Sequence, residues 1–190
     1  MTTNSKITLP PPQMEGGMPI QEAFRKRRST KEFNGSELSL AEISDILWSM
    51  YGMNRSDGRR TAPTVKNWQT TTLYVILPDA TYIYNPTEHE LQLILSEDAR
   101  DIAGTQEYTH SAYLNIMLIA NLILMTSLDG EDKHQAAACE AGFIAQNAYL
   151  HCASAGLKCV SRLKIDRQSI NKKFNLSDNM YATLGVTIGK

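Results

Sequence analysis

From Asp132 to Ser154 the chain carries about 23 residues in which Ala136, Ala137, Ala138, Ala141, Ile144, Ala145, Ala148 and Ala153 recur largely at three- and four-residue intervals. That spacing predicts one long helix, and Gly156 sits where a left-handed residue would end it. At about 1.5 Å per residue such a helix is about 35 Å long, so whatever the chain folds into is assembled around it. Its small side chains suit plain core packing, a close helix–helix contact between subunits, or backbone laid against a flat ligand.

The flanking segments predict a mixture of helices and strands. Pro19 to Arg27 reads as a short helix opened by proline, with Ile20, Ala23 and Phe24 on one face. Ser39 with Glu42 three residues on forms a capping box, and Leu40, Ile43, Ile46, Leu47 and Met50 continue at helical spacing to Gly52. Thr70 to Leu77 and Ala80 to Tyr84, rich in β-branched and aromatic residues and split by Pro78-Asp79, predict a hairpin that Leu91 to Leu95 extends or flanks. Glu97 to Gly104 predicts a short helix, Lys158 to Leu163 a strand, Asp166 to Phe174 a helix capped by Asp166, and Met180 to Ile188 a final strand. Ala112 to Leu124 suits a buried strand, although periodicity does not separate strand from helix there. The alternation implies an α+β fold, a mixed sheet covered by helices. Residues 1–18, with Pro10-Pro11-Pro12 and Gly16-Gly17, read as an extended arm that packs on a body or a partner, and residues 19–190 as the domain.

Composition excludes several classes. A length of 190 residues suits one domain, and a net charge of −1 argues against a general nucleic-acid binder. Cys139, Cys152 and Cys159 leave one thiol over in any pairing, Cys139 and Cys152 are too far apart on one helix to bridge, and buried thiols are expected. His89, His110, His134 and His151 fall in no ligand spacing, so no metal is expected. The stretch Ile116 to Met125 is too short for a bilayer, which takes about 20 residues. The first 18 residues lack the apolar core of a signal peptide, which implies a cytoplasmic protein, or an exported one whose leader has been removed.

Two segments carry the chemistry. Arg25 to Lys31 gathers five cations and two hydroxyls in seven residues, readable as a solvated helix end, a polyanion patch or the seat of a phosphate. Gly58 to Gln69 packs cations, hydroxyls, carboxamides and an indole into one loop. Arginine suits an oxyanion, and a carboxamide, with donor and acceptor on one plane, suits the imide-like edge of a heterocycle.

Here Arg27-Arg28-Ser29-Thr30-Lys31-Glu32-Phe33 resembles the Arg-(Arg/His)-Ser-x-(Arg/Lys)-x-Phe motif of the FMN-dependent nitroreductase superfamily. Ala62-Pro63-Thr64-x-x-Asn67-x-Gln69 resembles its Ala-Pro-Ser-x-x-Asn-x-Gln loop, with Thr64 keeping the hydroxyl. Gly142 to Asn147 and Cys152 to Leu157 look like its central helix and the Gly-Leu turn that follows, and the Gly-Arg-Arg-Thr-Ala-Pro loop with Asn-Trp-Gln is most similar to the SagB, or thiazole/oxazole-oxidase, branch. The resemblance covers roughly residues 18–188.

The resemblance implies a nitroreductase-like fold with a mostly antiparallel sheet, and it selects strand for Ala112 to Leu124. It implies a domain-embracing homodimer with FMN at the interface, and hydride transfer at flavin N5 by a ping-pong mechanism on a small-molecule substrate. Arg27, Arg28 and Ser29 are expected at the phosphate or ribityl end and Lys31 toward the pyrimidine side. Pro63, Thr64 and Asn67 are expected at the isoalloxazine rim, with Gln69 fixing the loop. The Cys159-Val160-Ser161 backbone is expected near N5, and Arg60 and Arg162 are further candidate contacts. No catalytic side chain is assigned, since the cofactor carries the chemistry. NAD(P)H is one electron donor; the alternatives are an azoline-oxidase type that draws electrons from its substrate and a flavin-binding protein without turnover. Residues 96–112, with Tyr108, His110 and Tyr113, are expected on the substrate side. Many relatives carry a Gly-Tyr-Pro and an extension with a phosphate-binding Arg near the point where this sequence stops, a role that then falls to Lys190 or Arg162.

Overall fold

A computed structural model describes residues 5–190. The elements run β1 (Lys6–Thr8), α1 (Ile20–Lys26), α2 (Leu40–Tyr51), β2 (Thr71–Ile76), β3 (Thr81–Asn85) and β4 (Glu90–Leu95). Then come α3 (Arg100–Ala103), α4 (Tyr108–Ser111), β5 (Leu114–Asn121), α5 (Gly130–Ala155), β6 (Lys158–Arg162), α6 (Arg167–Lys173) and β7 (Met180–Gly189). The strands form one seven-stranded sheet in the order β1-β4-β3-β2-β5-β7-β6, and every pairing between them is antiparallel. The fold is therefore α+β as expected, with a sheet more uniform than a mixed one.

Period-two alternation splits the core between the sheet's two faces. Leu73 and Val75 of β2 with Leu114, Ile116 and Leu118 of β5 meet Ile43, Ile46, Leu47 and Met50 of α2 and Ile144 and Ala148 of α5. Tyr74, Ile76, Met117 and Ile119 point the other way, to Ala99, Ala103 and Ile170 near α3 and α6. Buried on both sides, β5 reads as an unbroken apolar run, which is why periodicity alone could not type it.

Local signals act where they were read. The Ser39 hydroxyl accepts from Glu42 N while Glu42 Oε2 accepts from Ser39 N, closing the capping box of α2. Asp166 accepts from Ser169 N at the start of α6. Gly156 ends α5 at φ +71°, a conformation open to glycine without a Cβ penalty. Two boundaries differ from expectation. The strand ends at Asn121, whose side chain accepts from Ile123 N and turns Leu122–Leu124 into a single 3-10 turn. Only Arg100–Ala103 of Glu97 to Gly104 is helical, and α4 follows unannounced.

The described part of the arm lies against the sheet and α2. Lys6–Thr8 pairs with Glu90–Gln92 as the sheet's edge strand, Leu9 is buried, Ser44 Oγ donates to Pro10 O, and Gln13 N donates to Asp45 Oδ1 at 2.7 Å. Residues 5–18 thus pack on their own domain; residues 1–4 of the expected arm lie outside the described residues. No helix among the described residues is long and apolar enough to cross a membrane.

Candidate functional site

The cationic motif leaves α1 and runs beside β6, held by Thr30 N donating to Cys159 O at 3.0 Å and Asn34 N to Lys190 O at 2.9 Å. Between motif and strand stands Tyr149 of α5, nearly buried. Its hydroxyl lies 2.9 Å from Ser29 Oγ and 3.2 Å from Ser161 Oγ and accepts from Ser161 N at 2.8 Å. Its ring lies 5.4 Å from the Arg27 guanidinium carbon. One phenol therefore joins Arg27, Ser29 and Ser161, three of the expected contacts.

This cluster borders a cleft of about 1030 Å³ lined by Arg25 to Glu32, Tyr149, Cys152 and Gly156 to Cys159. Arg25 and Lys26 pair with Glu22 on the surface of α1. Among the described residues Arg27, Arg28 and Lys31 join no carboxylate, so their charge is available to an anion in the cleft.

The second segment is placed elsewhere. Glu140 of α5, fully buried, accepts from Val65 N at 3.0 Å and Thr70 Oγ1 at 2.7 Å, anchoring both ends of the loop. Within it Gln69 N donates to Thr64 Oγ1, and Gln69 Nε2 donates to Gly58 O and Asn67 Oδ1. Lys66, Asn67 and Gln69 all take positive φ, at 48°, 55° and 51°. Each such residue costs about 1–2 kcal/mol, so a loop that keeps three of them is held open in one shape by these bonds. Asn67 Nδ2 makes no hydrogen bond among the described residues and stays free for a ligand edge. Pro63, Thr64, Asn67 and Gln69 do not line the cleft at Tyr149.

Three expected contacts, Arg162, Lys190 and Arg60, turn away. Arg162 is 6% exposed, and its guanidinium donates to Ala103 O, Thr187 Oγ1 and Asn115 Oδ1. Room for it comes from Gly104 and Gly185, where an added Cβ would lie 2.6 and 2.9 Å from guanidinium atoms. Desolvation draws its pKa down to about 10. The expected phosphate contact is thus corrected to an interior fastener: neighbours on a strand face opposite ways, so Ser161 toward Tyr149 sends Arg162 into the core. Val160 is buried beside it. Lys190 Nζ pairs with Glu42 at 2.9 Å and donates to Glu37 O. Arg60 faces inward, 5.7 Å from the Tyr51 ring centroid. On the expected substrate side Tyr108 lies 6.3 Å from Phe33 of the motif, and Tyr113 donates to Glu37.

Tyr149 and Glu140 were missed in the sequence. A signal existed: both fall on the buried spacing of α5, Glu140 four residues after Ala136 and Tyr149 four after Ala145, where a polar group needs a partner.

Comparison with known proteins identifies the family. The Nitroreductase family profile matches residues 24–190. A Methanocaldococcus jannaschii protein provisionally named a nitroreductase is 30% identical over 152 residues, 75% of this chain and 77% of its own. A crystal structure from Ralstonia eutropha JMP134, provisionally described in the same terms, superposes with a TM-score of 0.94 at 36% identity over 100% of this chain and 91% of that one. One from Anabaena variabilis gives 0.82 at 20% identity over 97% of this chain and 41% of that one, a likeness of fold alone. The chain belongs to the nitroreductase family.

Proposed function

We propose that the protein is an FMN-dependent oxidoreductase of the SagB-type branch that works as a homodimer with flavin at the subunit interface. Family membership points to an oxidoreductase. The observation that carries the flavin reading is the gathering of Arg27 over the Tyr149 ring and of Ser29 and Ser161 on its hydroxyl, beside a cleft whose cations Arg28 and Lys31 have no carboxylate partner among the described residues.

The residues fit the group. Arg27, Arg28 and the Ser29 hydroxyl supply the charge and donors that a dianionic phosphate and a ribityl chain need. Lys31 would place positive charge toward the pyrimidine side, where it favours the anionic reduced state. Pro63, Thr64 and the free Asn67 carboxamide would meet the ring's polar edge, with Gln69 holding the loop. When bound, FMN supplies hydride transfer at N5; the chain binds, orients and shields it. One cleft serving donor and acceptor in turn gives ping-pong kinetics, with NAD(P)H or the substrate itself as donor.

The dimer is argued from α5. Glu140 and Tyr149 are nine residues apart, about 14 Å along the helix and half a turn around it. Between them runs an exposed stripe of Ala138, Cys139, Gly142 and Phe143, apolar or small and uncovered among the described residues, with the polar Gln146 at its end. A second copy laid on this stripe by a two-fold axis covers it and brings the loop of one subunit toward the cleft of the other. Phe143→Glu is expected to convert a particle of twice the chain mass into a monomer in light scattering. A wild-type monomer would overturn the dimer.

The test of function is the absorbance spectrum of the purified protein with mass identification of released cofactor. FMN that bleaches with NAD(P)H or dithionite and recolours in air supports the reading. FMN that never cycles with any donor leaves a binding protein, and absence of FMN affinity refutes the assignment.

A further inference from the structure

Cys152 and Cys159 stand on the two arms of the Gly156 turn, one in the last turn of α5 and the other in β6, and both line the cationic cleft. Gly156 N and Leu157 N both donate to Cys152 O, which folds this seven-residue separation back on itself. Both thiols are free, 1% and 2% exposed. The Cys152 thiol is pushed up, first by its hydrogen bond to Cys159 and then by burial. Cys152 therefore holds its proton beside Cys159. With Cys152 kept protonated and both sulfurs in one cleft wall, we assign Cys159 as the attacking atom and Cys152 as the resolving thiol. Cys139, exposed on another part of α5, has no such neighbour.

We propose that Cys152 and Cys159 are a redox-active dithiol, oxidised by hydrogen peroxide or a comparably small hydroperoxide to a reversible disulfide in the wall of the cleft. Burial selects the oxidant's size. Cys159 thiolate attacks one peroxide oxygen, the O–O bond breaks, and the departing hydroxide takes a proton and leaves as water; Cys159 becomes a sulfenic acid. Cys152 sulfur then attacks Cys159 sulfur, the S–S bond forms, the S–O bond breaks, and the Cys152 proton leaves with the hydroxyl as a second water. The two thiols lose two electrons and two protons, hydrogen peroxide gains them, and a dithiol such as dithiothreitol reverses the change. Thr30 N bonds to Cys159 O and Tyr149 lies one turn before Cys152, so the new bond would sit against the residues that hold the cationic motif. This inference goes beyond the flavin reading and needs no cofactor.

The test uses the full chain carrying Cys139→Ser, treated with hydrogen peroxide, alkylated after unfolding and digested with trypsin. Cleavage after Lys133, Lys158 and Arg162 places the two sulfurs on separate peptides, 134–158 and 159–162. Expected is a linked pair of these peptides that dithiothreitol separates. In Cys152→Ser a dimedone-reactive sulfenic acid is expected to accumulate on Cys159. Peptides that remain unlinked with both thiols alkylated, or a sulfinic acid at Cys159 as the main product, would overturn the proposal. The peptide map of Cys139→Ser decides the matter even if the other variants fold poorly.

Discussion

Tyr149→Phe isolates the hydroxyl that organises the cleft. The ring stays, with its core packing and its place 5.4 Å from the Arg27 guanidinium carbon. What goes is the acceptor of Ser161 N at 2.8 Å and the shared proton with Ser29 and Ser161. A net hydrogen bond contributes about 0.5–1.5 kcal/mol, and the cleft lets water satisfy part of what is exposed, so a stability loss of about 1–2 kcal/mol follows. For a domain of this size that is a fall of roughly 2–8 °C in Tm. Ser29 and Ser161, no longer fixed, cost FMN affinity about 1–2 kcal/mol, a Kd some 5–30 times higher. Because both residues act through one hydroxyl, Ser29→Ala and Tyr149→Phe together are expected to cost less than the sum by about 0.5–1 kcal/mol. Urea denaturation of the apoprotein and flavin-fluorescence titration measure both quantities. A Kd within twofold of wild type, or strict additivity with Ser29→Ala, would refute the role given to Tyr149.

Three further outcomes test the rest of the structure. Glu140→Gln replaces one of the two oxygens that accept from Val65 N and Thr70 Oγ1 with an amide donor, so a loss of about 1–3 kcal/mol and faster hydrogen exchange at Val65 are expected; an unchanged exchange rate would show the loop is held otherwise. Arg162→Lys cannot reproduce the fork that reaches Ala103, Thr187 and Asn115 and is expected to lose about 2–4 kcal/mol in urea titration while the folded protein binds FMN within twofold of wild type; the reverse pattern would return Arg162 to the phosphate. His89 and His151 both have pKa values lowered from 6.5 by burial, so the unfolded chain takes up protons that the native state resists. Stability is expected to be level above that value and to fall below it, by at most about 1.4 kcal/mol per pH unit for each histidine; His151→Gln should flatten the slope, and an acid-stable wild type would contradict the sign.

The elements were legible because their signals are local. Ser39 and Glu42 cap a helix within one turn of chain, Gly156 ends one with its own φ, and the spacing of alanines along α5 needs no partner to be read. The candidate site was legible in part, through motifs within single segments. Its hub was not: Tyr149 meets Ser29 120 positions away, and a tyrosine on a buried helix face looks like any core residue until that partner arrives.

By itself the sequence determined the α+β architecture, the long central helix and the two polar segments, since each follows from short-range periodicity and composition. The tertiary structure decided which members of those segments meet. Strand alternation sent Ser161 to Tyr149 and Arg162 into the space left by Gly104 and Gly185. Pairing along β4 turned the arm into an edge strand, and α5 set the two polar segments half a turn apart, because a helix distributes neighbouring residues around its axis.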